Sequence, residues 1–284
     1  MRRPFGGPIL TPVRLTHRIP FPGLRDTLRI AVLADIHACR PWMSLSRIAA
    51  LVEEANALDV DLIALLGDYA GHVLLSPQEP ALDVARLLAG LKAPLGVFAV
   101  MGNHDWKKRA KGDRSTRWHR AFEAAGIEML NNRAVTLTHK GSEIPLAGID
   151  SLRAYGRPRQ GRDRGAHDLD YALEGLDPAR PAILLSHEPD IFPEIRDPVH
   201  LVLSGHTHGG QIRAFGRSWV VPSRYGRRYD WGHIEERGRH LVVSGGLGYS
   251  GLPLRIGVPP EITLVELRSR DPSTRPAKPA RPEV

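Results

Sequence analysis

The chain has 284 residues, 42% of them hydrophobic, which is enough to bury a core and excludes global disorder. Its single cysteine, Cys39, excludes an intrachain disulfide and a thiolate-cage metal site, so a metal here must be held by imidazole, carboxylate and amide groups. The formal charge of +8 suits an anionic membrane surface, a polyanionic substrate or nucleic acid, and equally a solvated basic surface.

At the front, Arg2 and Arg3 are followed by Pro4, Pro8 and Pro12, so a secretory apolar segment is missing. No window approaches the ~18 consecutive apolar residues of a membrane helix. The expected address is cytoplasmic, with a peripheral place on the inner face of the membrane as an option. Next, LRIAVLA at 28–34 reads as a buried strand ending in Asp35 and His37. Helical spacing follows over 46–57 through Ile48, Leu51, Val52 and Ala55, with Ser46 as cap. LIALL at 62–66 is a strand ending in Gly67 and Asp68. Residues 80–91 read as a helix through Leu82, Ala85, Leu88 and Ala89, and 97–101 as a strand ending in Gly102, Asn103, His104 and Asp105. Residues 117–125 are helical, with Trp118, Ala121, Phe122 and Ala125 on the core face.

The middle is richer in strands, at 134–138 and 144–149. Residues 182–186 lead into His187, and 201–204 into Gly205, His206 and His208. Further strands fall at 219–221, 241–244 and 261–267. Strand alternating with helix argues for a layered α/β fold. One domain over 24–267 is expected, with an N-terminal extension over 1–23 and a disordered, basic, Pro-rich tail over 268–284. Basic residues also concentrate over 107–120 and 153–164.

Five strand ends therefore carry metal-capable side chains: Asp35 and His37; Asp68; Asn103 with His104; His187; and His206 with His208. In α/β sheets ligands collect at the carboxyl ends of strands, which lets residues distant in sequence meet. A carboxylate can bridge two cations, imidazole supplies neutral nitrogen, and an amide supplies oxygen. That mixture suits manganese, iron or zinc better than calcium. His17, His72, His119, His139, His167, His200, His233 and His240 are read as surface or capping residues.

The ordered blocks D-x-H, GD, GNHD, a lone H and GHTH closely resemble the calcineurin-like metallophosphoesterase superfamily. Around them, LSHEPD at 185–190, SGHTHGGQ at 204–211 and GGLGYSGLPLR at 245–255 look like its bacterial YkuE/YaeI-type subgroup. The resemblance implies a four-layer α/β/β/α sandwich with a dimetal site at the strand ends. Carried over by position, one divalent ion would take Asp35, His37, Asp68 and His208, and the other Asp68, Asn103, His187 and His206, with Asp68 bridging. The implied activity is hydrolysis of a phosphodiester, pyrophosphate or phosphomonoester by a hydroxide shared between the ions.

His104, left without a metal, is assigned as general acid, and Asp105 is expected to hold its ring. The subgroup allows a lipid-linked substrate such as a UDP-diacylglucosamine, for which the basic 107–120 segment would suit a membrane. A nuclease is the enzymatic alternative, using the same basic residues. An inactive scaffold is the alternative outside catalysis, disfavoured because every ligand is present. The Gly-rich 245–251 segment and Arg255 are open between binding a phosphate and serving as ordinary loop and surface residues.

Overall fold

The structure is a computed structural model that describes residues 11–107, 115–156, 165–214, 216–218 and 220–269. Most of the basic clusters expected over 107–120 and 153–164, and the tail from 270 onward, lie outside the described residues. Strands β1 (Val13–Phe21) and β2 (Leu28–Leu33) lead to helix α1 (Leu45–Asn56). Strand β3 (Leu62–Leu66) and the two-residue β4 (His72–Val73) precede α2 (Ala81–Leu88), and β5 (Val97–Val100) precedes α3 (Arg117–Ala124). Then come β6 (Glu128–Met129), β7 (Arg133–His139), β8 (Ser142–Gly148), α4 (Leu169–Leu173), β9 (Ala182–Leu185) and β10 (Val199–Ser204). The last third holds β11 (Arg213–Ala214), β12 (Arg217–Ser218), β13 (Gly232–Glu236), β14 (Arg239–Val243), β15 (Ser250–Gly251) and β16 (Glu261–Ser269).

Two six-stranded sheets form, in the orders β1-β16-β2-β3-β5-β6 and β13-β14-β10-β9-β8-β7. Their inner, mutually parallel strands β2, β3, β9 and β10 are apolar on both faces because each face is covered. Ile30, Val32, Leu62, Ala64 and Leu66 of the first sheet pack against Ile183, Leu185, Leu201 and Leu203 of the second. The alternate residues Ala31, Leu33, Ile63 and Leu65 turn the other way, onto Ile48, Leu51 and Val52 of α1 and Trp118 and Phe122 of α3. On the far side, Leu184, Val202 and Leu241 meet Leu169 and Ala172 of α4. This period-two alternation across three buried layers is the four-layer α/β/β/α sandwich.

Local details differ from the sequence reading. Val13–Phe21, within the segment expected to be an extension, is an edge strand paired in parallel with β16. Only Ile19 and Phe21 of it are buried, so its apolar signal is weak, and Pro20 is tolerated because the strand lies at an edge. Ser44, not Ser46, precedes α1 and makes no side-chain cap bond. In α2 the buried face is Val84, Ala85 and Leu88, while Leu82 is exposed. Trp219 lies outside the described residues, and Val220 and Val221 are not in a strand; the local ribbon is β11 with β12 instead.

Candidate metal centre

Within each sheet the site-bearing strands run parallel: β2, β3 and β5 in one, β9 and β10 in the other. Their carboxyl ends face each other across the gap between the sheets. Two bonds tie that gap: Asp35 Oδ2 accepts the His206 N–H at 3.0 Å, and His187 Nδ1 lies 2.7 Å from the carbonyl of Leu66. Backbones approach closely where the sequence has glycine. A Cβ on Gly102 would lie 2.3 Å from Asp68 Oδ1, and one on Gly205 would lie 2.6 Å from Asp35 Oδ2.

Six of the seven proposed ligand residues gather here. The ligand atoms of Asp35, His37 and His208 lie within 4.8 Å of one another, as do those of Asp68, His187 and His206. Asp68 stands between the groups, with Oδ2 3.3 Å from His187 Nε2 and 3.6 Å from His37 Nε2. Five of the seven, Asp35, His37, Asp68, His206 and His208, have positive φ, a conformation non-glycine residues rarely adopt. Holding five side chains this way costs strain, which the packed surroundings must over-determine.

The donor set fits divalent cations. Ring nitrogens face each other: His37 Nε2 is 3.1 Å from His208 Nε2, and His206 Nδ1 is 3.2 Å from His187 Nε2. His37 Nδ1 lies 2.8 Å from the carbonyl of Ala70, and His206 Nε2 lies 2.9 Å from that of Pro222. A carbonyl only accepts, so in His37, His187 and His206 the outer nitrogen carries the hydrogen and the inner one presents its lone pair. His208 differs: its Nδ1 accepts from an Arg255 nitrogen at 3.2 Å, so neutral His208 carries its hydrogen on Nε2, toward His37, and must give it up to bind a cation through that atom. Asn103 Oδ1 is buried with no hydrogen-bond partner among the described residues, an expensive vacancy unless a cation takes that oxygen.

Electrostatics favour ligation at His37, His206, His208 and Asp68, and oppose it at Asp35 and His187, which a cation would have to deprotonate. Burial holds the pKa values of His37, His206 and His208 below the usual imidazole range, which keeps them neutral. Burial also pushes Asp35 up, to about 7. For Asp68 burial works upward, but His187 and His104 outweigh it and hold the carboxyl well below its usual range. Burial opposes charge on His187 most strongly, but the charge and hydrogen bond of Asp68, with Glu188 and Asp35, together outweigh it and hold the ring well above its usual range.

His104 sits at the rim. Its N–H donates to Asp68 Oδ1 at 2.8 Å, and its Nε2 lies 3.9 Å from Asp68 Oδ2. Asp105 does not hold this ring. Its carboxylate accepts three backbone N–H groups instead, from Asp68 at 2.8 Å, Gly102 at 2.9 Å and Ala70 at 2.9 Å. It is fully buried beneath the loop, where it organises the backbone. The ring's partner is Lys107, whose Nζ lies 2.9 Å from His104 Nδ1. An ammonium only donates, so neutral His104 carries its proton on Nε2, toward the centre.

Sequence reading also passed over residues that line the centre. The His72 ring lies 3.8 Å from that of His104, centroid to centroid, although His72 reads from sequence as a surface or capping residue. Its place four residues after Asp68, in the same loop, was the available signal. Arg153 Nη1 lies 3.1 Å from His206 Nε2, and Arg153 also pairs with Asp190. Arg255 is buried and donates to the carbonyls of Gly245 and Gly248, so it is a strut within the loop. The N–H groups of Gly245, Leu247 and Gly248 go to Glu261, Ala34 and Asp35, so they are already committed within the protein.

The profile of the calcineurin-like phosphoesterase family matches residues 28–210, which hold every one of these ligands. The chain belongs to that family. This phosphoesterase is 33% identical over 247 residues to a Bacillus subtilis (strain 168) protein described as an uncharacterized metallophosphoesterase, YkuE, covering 86% of this chain and 80% of that one. It is 32% identical over 235 residues to a putative metallophosphoesterase of Caenorhabditis elegans, F40B5.2, covering 80% of this chain but 45% of that one. Among solved structures, the calcineurin-like phosphoesterase YfkN from Bacillus subtilis aligns with a TM-score of 0.45 and 15% identity, over 78% of this chain and 82% of that one. At that score the likeness carries no argument. The phosphoesterase is thus a metal-dependent hydrolase of phosphoesters, and no helix among the described residues is long and apolar enough to cross a membrane.

Proposed function

We propose that the phosphoesterase works with two divalent ions, manganese, iron or zinc, and cleaves a phosphodiester or pyrophosphate with His104 as general acid. Asp35, His37, Asp68 and His208 would hold one ion, and Asp68, Asn103, His187 and His206 the other. The observation that carries this is the position of Asp68 Oδ2 between the imidazoles of His37 and His187, and the buried, unpartnered oxygen of Asn103 supports it. When bound, the ions supply an activated water and positive charge to offset that of the phosphate.

The protein's own groups do the rest. Asp35 and Asp68 are buried at the strand ends, so their charges act in a medium that screens them little. His104 Nε2 faces the same space and can give its proton to the departing oxygen. Burial pushes the His104 ring down to about 2, with Asp68 opposing, so its charged form needs the negative charge of a bound phosphate. Protonation of the acid is thereby coupled to substrate. Arg153, against His206, is placed to neutralise a phosphate oxygen.

Metal analysis of purified protein, paired with turnover of bis(4-nitrophenyl) phosphate, tests the reading. About two ions per chain are expected, with activity lost on chelation and restored by manganese. Full activity with a single ion per chain, or in chelator, overturns it.

A further inference from the structure

We propose that the loops on either side of the β4–β15 ribbon form an apolar ridge that enters an anionic phospholipid bilayer, so that the site meets phosphoesters at the headgroup level. This rests on the phosphoesterase reading above and deepens it by naming where the substrate resides. Ten large hydrophobic residues are exposed among the described residues, and half of them, Leu74, Leu75, Leu252, Leu254 and Ile256, fall in these two loops. Scattered singly they would need no explanation, but clustered beside an active site they mark an interaction surface.

The two loops are one unit. His72 and Val73 pair with Ser250 and Gly251, and the Leu74 N–H continues the ladder to the Gly251 carbonyl at 2.8 Å. At the tip, Leu75 is 97% exposed with φ at +58°, and Leu74 is 69% exposed. A leucine in the left-handed region is a strained residue, and here the strain presents an apolar side chain to the outside.

The ridge is also tied rigidly to the metal centre. Gln211, three residues after His208, donates from Nε2 to the carbonyls of Ser250 and Leu252, both at 3.0 Å, and accepts the Ser250 N–H at 2.8 Å. On the other loop, His72 lies against the ring of His104.

Charge and layout select a bilayer as the occupant. A groove of about 590 Å³ runs along residues 71–78 and Gly251, with Arg117 as its one cation and no carboxylate in its lining. Lys107 is exposed beside it, on His104. His72 joins the two, since it lines the groove and its ring lies on that of His104, so exposed leucines, cations and the proposed acid are neighbours. Those are the groups that would meet acyl chain, lipid phosphate and scissile phosphoester. A protein seated on the same ridge would cover the approach to His104, whereas a bilayer delivers its own phosphoesters there.

The test is flotation with vesicles of phosphatidylcholine alone or with added phosphatidylglycerol, using the intact protein and a Leu74→Ser, Leu75→Asn double variant. Asparagine tolerates the left-handed backbone at 75, and both positions are exposed, so the fold is kept. The protein is expected to float with the anionic vesicles, and the variant's bound fraction should fall at least about tenfold. The variant's melting temperature and its turnover of bis(4-nitrophenyl) phosphate should match those of the parent. Absence of flotation by the parent overturns the proposal. So does binding that the variant retains and salt alone removes, which would assign the contact to cations only. A variant that changes self-association while neither protein floats would give the ridge to a second copy of the chain. Loss of diester turnover in both proteins, with flotation intact, would instead count against the phosphoesterase reading.

Discussion

Asp105 Oδ2 accepts the backbone N–H of Asp68 at 2.8 Å, so a carboxylate that touches neither the His104 ring nor the proposed ligand atoms sets the position of the residue between the two imidazole pairs. Burial and the Asp68 charge push Asp105 up, to about 7, and the N–H bonds from Gly102 and Ala70 work the other way.

Replacing Asp105 by Asn should therefore act through Asp68. The amide keeps the size but turns a donor toward an N–H. Metal affinity or rate should fall by roughly 10–100-fold, the usual cost of losing an outer-shell partner. Alkyl and nitrophenyl esters should suffer equally. A loss confined to alkyl esters would return Asp105 to the role of partner to the acid.

His104→Asn should show the opposite signature. An alkoxide needs a proton to leave, and a nitrophenolate does not. The rate on an alkyl ester should drop by roughly 10²–10⁴, with a clearly smaller drop on a nitrophenyl ester and unchanged metal content. His104 also lies within ligand distance of His37 and Asp68, so a fall in metal content would make it a ligand.

Gly102→Ala tests the close approach of the loops after β3 and β5. The added methyl would lie 2.3 Å from Asp68 Oδ1 and 2.4 Å from the Asp68 nitrogen, which cannot move without disturbing the Asp105 bond. Overpacking of this kind costs about 1–3 kcal/mol. A lowered melting temperature together with lost metal is expected. A variant that keeps both would show that the loop yields.

Away from the centre, His17, His233, His240 and His200 line the seam between the sheets. Neighbouring rings are 6.3, 5.2 and 5.1 Å apart in that order, and Glu235 bears on His233. Burial, with His233 adding, pushes His17 down to about 4. A base lowered on folding favours the folded state above its unfolded pKa of ~6.5, and that stability is lost as pH falls toward 4. In chelator, His17→Gln should shrink the drop in melting temperature between pH 7 and pH 4.5. An equal drop in both proteins would place the acid sensitivity elsewhere.

The candidate ligands were legible along the chain alone. Asp35, Asp68, Asn103, His187 and His206 each follow a short run of apolar residues, and the carboxyl ends of parallel strands converge because of how such sheets are wound. The runs at 28–33, 62–66 and 182–185 were legible because their residues are buried on both faces. The edge strand at Val13–Phe21 was not, because only part of one face is covered. Side-chain partnership could not be read along the chain. Asp105 follows His104 directly, yet turns away from it to three backbone donors, while the ring's partner, Lys107, comes two residues later. His72, Arg153 and the leucine ridge likewise acquire meaning only from neighbours far away in sequence. The pattern of burial fixes where strands end, but which way a side chain turns there depends on the donors and cations that the rest of the fold brings within about 3 Å.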